Sequence, residues 1–254
     1  MPTKPDKLDD VPREIFDRTR SAREKYQALM VGRPGWGPLL RYEFVTSLAG
    51  RLPGALGLFL RSRLYPGLFA RCGRNVFFGT DVVLRHPHKI AIGSDVVIDD
   101  GCVLDAKGTS NKGITIGDAV FIGRHSSLNT KDGDIVVEDR VNIGPFCTVF
   151  SASTVRIGRE TLLAAYAYLV GGGHAFDEIG TPILDQPRPS AGITVGPSSW
   201  IGTAVTVLDG VTIGRGVVVG ANAVVTRSLP DFSVAAGTPA VVQRTREAPP
   251  GSPS

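Results

Sequence analysis

The chain has 254 residues, 42% of them apolar and 20% charged, and a formal charge of +4. These figures fit an ordinary soluble protein with mass for one large domain or two small ones. The positive excess is uneven, because Arg41, Arg51, Arg61, Arg63, Arg71 and Arg74 crowd one stretch; this points to a local anionic partner and away from nucleic-acid binding. Cys72, Cys102 and Cys147 are odd in number and lack metal-ligand spacing, which argues against a disulfide framework or zinc ribbon and for a reducing, cytoplasmic setting. The N-terminus MPTKPDKLDDVPREIF has no apolar secretion signal, and no run approaches the ~20 apolar residues of a spanning helix.

In chain order, residues 1–12 read as disordered and 13–75 as a helical region. It opens with a charged helix over 13–30, breaks at GRPGWG, and continues with two or three short helices in which Leu, Phe and Tyr alternate with arginines. Two readings of this region stand together: a cap over one end of the domain that follows, or a membrane-surface element over residues 38–75 whose arginines meet anionic lipid.

From Ile92 onward an aliphatic residue recurs every six positions: Ile92, Ile98 and Leu104, then sets beginning at Ile116, Val137, Ile157, Val195 and Ile213, eighteen hexads in all. Four residues after most of these stands a small residue or valine, such as Val96, Cys102, Ser126 and Cys147. A period of six with three hexads per turn predicts short strands stacked as a triangular prism, a parallel β-helix over 76–243, in which the Gly, Asp or Asn beside each aliphatic eases a tight corner. Cys102 and Cys147 fall on inward positions and read as core. The sets are unevenly spaced, so the excess leaves the prism as loops: a small one at 108–112 and a large one at 171–192, GGGHAFDEIGTPILDQPRPSAG. The stretch SLPDFSVAAGTPAVV closes the repeats, and 244–254 reads as a disordered tail.

The stretch PSSWIGTAVTVLDGVTIGRGVVVGANAVVTRSLPDFSVAAGTPAVV resembles the C-terminal signature of hexapeptide acetyltransferases of the galactoside, maltose and polysaccharide O-acetyltransferase group. The resemblance spans 83–243, and GGGHAFDEIGTPILDQ is similar to the histidine-bearing loop of sugar and capsule O-acetyltransferases. It implies a left-handed helix, a homotrimer, acetyl-CoA along the groove between neighbouring prisms, a hydroxylated sugar acceptor, no metal, and a histidine base from that loop. Carried over by motif, the CoA-lining positions are Trp200, Thr203, Ala221, Thr226 and Arg227. The family often has a basic residue soon after its Gly-x-Pro-Ala closure, where this chain has Val241 and only then Arg244.

Acyl transfer from a thioester to a hydroxyl needs a base that titrates near neutrality, which is histidine chemistry. Of the four histidines, His86 and His88 precede the repeats, His125 lies at a corner, and His174 alone lies in the long loop behind three glycines. Asp177 or Glu178 could orient its second nitrogen, and so could a backbone carbonyl. A backbone N–H near Thr203 would face the oxyanion, and no covalent intermediate is needed. Three rivals remain. A serine or amino-sugar acetyltransferase shares the fold. A γ-class carbonic anhydrase needs a histidine pair that His86-x-His88 does not match. A non-catalytic solenoid would lack the loop and the closure.

Overall fold

The computed structural model describes residues 18–247. The disorder expected at 1–12, the first part of the helix expected from 13 and the tail from 248 lie outside the described residues. Helix α1 (Ala22–Met30) starts at a capping box, with Ser21 accepting the Glu24 amide and Glu24 accepting the Ser21 amide at 2.8 Å. After the Gly-Pro break come α2 (Trp36–Ala49), α3 (Gly54–Leu64) and a 3-10 turn at Tyr65–Leu68. Leu39, Tyr42, Val45 and Ala49 line the buried face of α2, and the Tyr42 hydroxyl donates to the Leu84 carbonyl at 2.7 Å. Arg61 is buried and donates to the carbonyls of Phe78, Ala49 and Leu52 at 2.7 to 3.0 Å. It therefore ties the helices to the prism and is not one of the cations left for a partner.

Three sheets of seven, nine and seven strands form the faces of the prism. In the first, Cys72, Ile92, Ile116, Val137, Ile157, Val195 and Ile213 stack in register. Phe78, Ile98, Ile122, Ile143, Leu163, Ile201 and Val219 do so in the second, and Leu84, Leu104, Leu128, Val149, Leu169, Val207 and Val225 in the third. Almost all of these side chains are fully buried, and burying each aliphatic is worth about 2 kcal/mol, so stacking dominates local propensity. The period-six reading from Ile92 is the observed core. One further coil precedes it, with its first strand at Arg71–Cys72 rather than from 76, and Cys72 and Phe78 take inward places where an aliphatic pattern does not look for them. The final strand, Val241–Thr245, pairs antiparallel with Ser233–Ala236, and the Arg246 amide reaches the Phe232 carbonyl, so order continues past the expected end at 243.

The corners differ from the expectation in a physically instructive way. Left-handed φ falls three residues after the inward side chains of the first and second sheets, where Ala119, His125, Arg140, Phe146, Glu160 and Tyr166 all have φ between 54° and 63°. Bulky residues are tolerated there, and His125, Phe146 and Tyr166 stack at 5.2 and 5.1 Å between ring centroids. The glycine beside the aliphatic answers a different need: a Cβ on Gly93 would lie 2.5 Å from the Gly117 carbonyl oxygen of the next coil. Cys102 and Cys147 point inward, and burial pushes their thiols up to about 11, as suits core residues.

Candidate active site

The long loop leaves the third sheet after Tyr168–Gly171 and re-enters the first sheet at Ile193–Val195. It folds back on itself, the Ala175 amide donating to the Pro187 carbonyl at 2.8 Å and the Gly173 amide to that of Pro189 at 3.2 Å. Buried Gln186 braces the tip, its side-chain amide donating to the carbonyls of Glu178 and Thr181, both at 2.9 Å. At the foot, Asp209 of the next coil accepts the amides of Ala191 and Gly192 at 2.7 and 2.8 Å. Nothing in the repeat pattern marked Gln186 or Asp209; the Asp-Gly turn after Val207 was the only signal at hand.

Within this frame His174 is exposed, with Nδ1 3.3 Å from the Ile183 carbonyl oxygen. A carbonyl only accepts, so this contact assigns the proton to Nδ1 and leaves Nε2 with its lone pair as an acceptor. Asp177 and Glu178 are exposed, and neither is hydrogen-bonded to the imidazole; of the orienting groups open from sequence, the structure supplies the backbone carbonyl.

The CoA-lining candidates divide between two edges. Thr203 and Ala221 are exposed and stack one coil apart where the second sheet turns into the third, and the Asn222 amide donates to the Thr203 carbonyl at 2.9 Å. The Thr203 amide itself has no acceptor among the described residues. Thr226 and Arg227, both exposed, follow Val224–Val225 at the other edge of the third sheet, the edge from which the His174 loop departs. Trp200 is 51% exposed and lies on the flat second sheet, not at a corner, in register with Leu162 and Val218. Its row continues outward through Phe121 and Phe77, each more than a third exposed.

The other histidines are held by the scaffold. His86 Nε2 meets the Ala28 carbonyl at 2.7 Å, and His88 Nδ1 meets that of Val31 at 3.1 Å. Their rings stack at 5.8 Å, joining α1 to the prism.

Comparison with known proteins adds the following. The family model for the bacterial transferase hexapeptide, six repeats, matches residues 192–227. An acetyltransferase, described as probable, from Mycobacterium tuberculosis H37Rv is 35% identical over 164 residues, 65% of this chain and 54% of its own length. This chain therefore spans little more than half of that relative. WcaF of Escherichia coli K12, described as a putative colanic acid biosynthesis acetyltransferase, is 34% identical over 134 residues, 53% of this chain and 70% of WcaF. Among solved structures, a variant of AntD, an N-acyltransferase from Bacillus cereus in complex with dTDP and coenzyme A, superposes with a TM-score of 0.51 at 23% identity, covering 70% of this chain and 85% of that one. At that identity the likeness speaks for the fold. With eighteen hexads in register and a relative matched over most of its length, the chain belongs to the hexapeptide-repeat, left-handed β-helix acyltransferase family.

Proposed function

We propose that this chain transfers an acetyl group from acetyl-CoA to a hydroxyl of a sugar or glycan intermediate, with His174 as general base. The observation that carries the reading is the Nδ1 contact with Ile183, which leaves Nε2 free to take a proton. The acceptor hydroxyl gives its proton to Nε2 as its oxygen attacks the thioester carbonyl. His174 and Thr203 lie on different edges of one prism, so the oxyanion meets the free Thr203 amide of a neighbouring prism across the groove, and collapse expels CoA as thiolate, which recovers the proton from the imidazolium. Thr203 and Ala221 line the donor on one edge with Trp200 on the sheet face beside them, and Thr226 and Arg227, on the opposite edge of a neighbouring prism, stand beside its charged end. The sugar acceptor rests on the loop sequence and on the polysaccharide assignment carried by the name of WcaF.

Two further parts belong to the same reading. The chain works as a homotrimer, because the outward row Phe77, Phe121, Leu162 and Trp200 and the loop side chains Phe176, Ile179, Ile183 and Leu184 are too apolar to leave in water together. It works in the cytoplasm, with the helical end over residues 38–75 against the inner face of an anionic membrane.

Purified wild type and His174→Ala, given acetyl-CoA and a panel of sugars with free thiol followed, test the reaction. Turnover should fall by roughly 10²- to 10⁴-fold with CoA binding retained. Undiminished turnover in the variant would remove His174 as base, and no thiol release by wild type with any sugar would remove the reaction.

A further inference from the structure

Helix α2 is apolar on both sides. Its inner face, Leu39, Tyr42, Val45 and Ala49, is buried, while Trp36, Leu40, Phe44 and Leu48, four residues apart, are 61%, 59%, 62% and 46% exposed. At 100° per residue the two sets point in opposite directions, so the outer stripe faces directly away from the prism. Leu56 and Phe59 extend it onto α3, 62% and 54% exposed and opposite that helix's buried Gly57 and Arg61. A helix apolar all round implies cover on every side, and a row of this size goes beyond scattered surface hydrophobics.

The charge around the stripe selects the cover. Residues 33–74 hold seven arginines (33, 41, 51, 61, 63, 71 and 74) and one acid, Glu43, which accepts the Tyr26 hydroxyl at 2.5 Å. Arg61 is buried and the other six are exposed. A second copy docked on this face would set arginines against arginines, whereas an anionic surface satisfies both the stripe and its rim. No helix among the described residues is long and apolar enough to cross a membrane, so α2 can only lie along one.

Beside the first turn of α2 is a cavity of about 180 Å³ lined by Arg33, Gly37, Arg41, Gly67 and His88, among others. Arg41 reaches across it to Gly67, where a Cβ would come 2.4 Å from its guanidinium. Neither Arg33 nor Arg41 has an acceptor or acidic partner among the described residues. Burial and then Arg33 hold His88 down at about 4, so the imidazole offers no third cation at neutral pH.

We propose that this end of the molecule is a monotopic docking surface for an anionic bilayer, with a lipid phosphate taken between Arg33 and Arg41 while Trp36, Leu40 and Phe44 enter the headgroup boundary. The inference deepens the membrane contact of the reading above and rests on it. It gives the enzyme a fixed orientation, with the helical end down and the prism standing into the cytoplasm.

The test is flotation of the full chain with vesicles of phosphatidylcholine alone or mixed with phosphatidylglycerol. Wild type should float with the mixed vesicles only. Arg33→Gln/Arg41→Gln should weaken apparent binding roughly thirtyfold, taking each arginine at a surface as worth about fivefold. Leu40→Ser/Phe44→Ser, which keeps every charge, should remain at the bottom, and unchanged melting temperatures would certify both folds. Wild type that stays at the bottom with anionic vesicles overturns the docking surface. Wild type that floats while the double arginine variant floats equally well overturns the phosphate cradle. An assembly that shrinks on Leu40→Ser/Phe44→Ser without any vesicle binding makes the stripe a protein interface and also overturns the proposal. Acetyl transfer to a soluble sugar, measured on wild type, reports the catalytic reading independently, so the two can fail separately.

Discussion

The Asp209 carboxylate accepts the Gly192 amide at 2.8 Å while the Gly210 amide donates to the Gly192 carbonyl at 2.7 Å, so the coil after the long loop grips its returning foot from both sides. The smaller loop is held in the same way, with Asp134 accepting the amides of Lys112 and Gly113 at 2.7 and 2.9 Å. Both loops leave at the edge between the third and first sheets, and both are pinned by an acid one coil on. Removing the Asp209 carboxylate frees two backbone donors and lets the His174 hairpin swing. Asp209→Ala should lose activity by about tenfold or more in kcat, with KM for acetyl-CoA little changed, since a misplaced base costs orientation and not donor binding. The loss of charge-assisted bonds, about 2 kcal/mol, should appear as a modest fall in Tm. Normal kcat in that variant would show that the hairpin holds its place without the clamp.

The two kinds of corner position should respond to substitution with opposite sign. Gly196→Ala forces a Cβ to 2.5 Å from the Gly214 carbonyl carbon, so adjacent coils must part, and destabilisation above about 2 kcal/mol should follow. Ala119→Gly acts on a residue already at φ 54°, where glycine carries no steric penalty, and should be neutral or stabilising by up to about 1 kcal/mol. Thermal melts of both variants decide the matter, and comparable losses would mean that left-handed φ is not the strained element of the corner.

Much of this architecture is written in the sequence because period six is a packing rule: Ile92, Ile116 and Val137 recur since each must cover the one before it. Where the inward side chain is not aliphatic, as at Cys72 and Phe78, the same rule holds but its signature is lost. The corner residues are illegible for another reason. A solenoid can impose left-handed φ on Phe146 or Tyr166 and recover the cost by stacking their rings. At the site, His174 stands out as a histidine behind three glycines, but its orienting partner is a backbone carbonyl, which every residue carries and no sequence can flag. Arg61 reads from sequence as one more surface cation, and only the fold shows three carbonyls converging on it.

Trp200 joins two duties, because its immediate neighbours in the row on the second sheet, Leu162 and Val218, are apolar and the chain turns at Thr203 three residues later. If its ring lines the donor groove, Trp200→Ala should raise KM for acetyl-CoA about tenfold with kcat nearly unchanged, the loss of one aromatic contact. Arg227→Ala should move KM in the same direction and more strongly at low salt, as expected of a solvent-exposed cation facing phosphates. Sedimentation of Trp200→Ala belongs beside the kinetics: a variant that keeps its mass and its KM would take Trp200 out of the donor site.

His88 makes the stability of the helical end dependent on pH. Burial, reinforced by Arg33, His86 and Lys89, holds its folded value near 4, below the ordinary value of about 6.5 that it regains on unfolding. The folded state therefore binds fewer protons than the unfolded chain in the window between those values. The contribution is intact above pH 6.5 and is lost progressively as pH falls towards 4. His86, also pushed down by burial, adds in the same direction. His88 is only half-buried, and solvent screening keeps its share small, a matter of a few degrees in Tm. Melting wild type at pH 7 and pH 5 should show that drop, and His88→Gln, whose amide can still donate to the Val31 carbonyl, should show a smaller one. Equal drops in the two proteins would place the acid sensitivity elsewhere, in carboxylates such as Asp100, which the Thr80 amide and hydroxyl hold below its ordinary value and which loses its contribution only at lower pH.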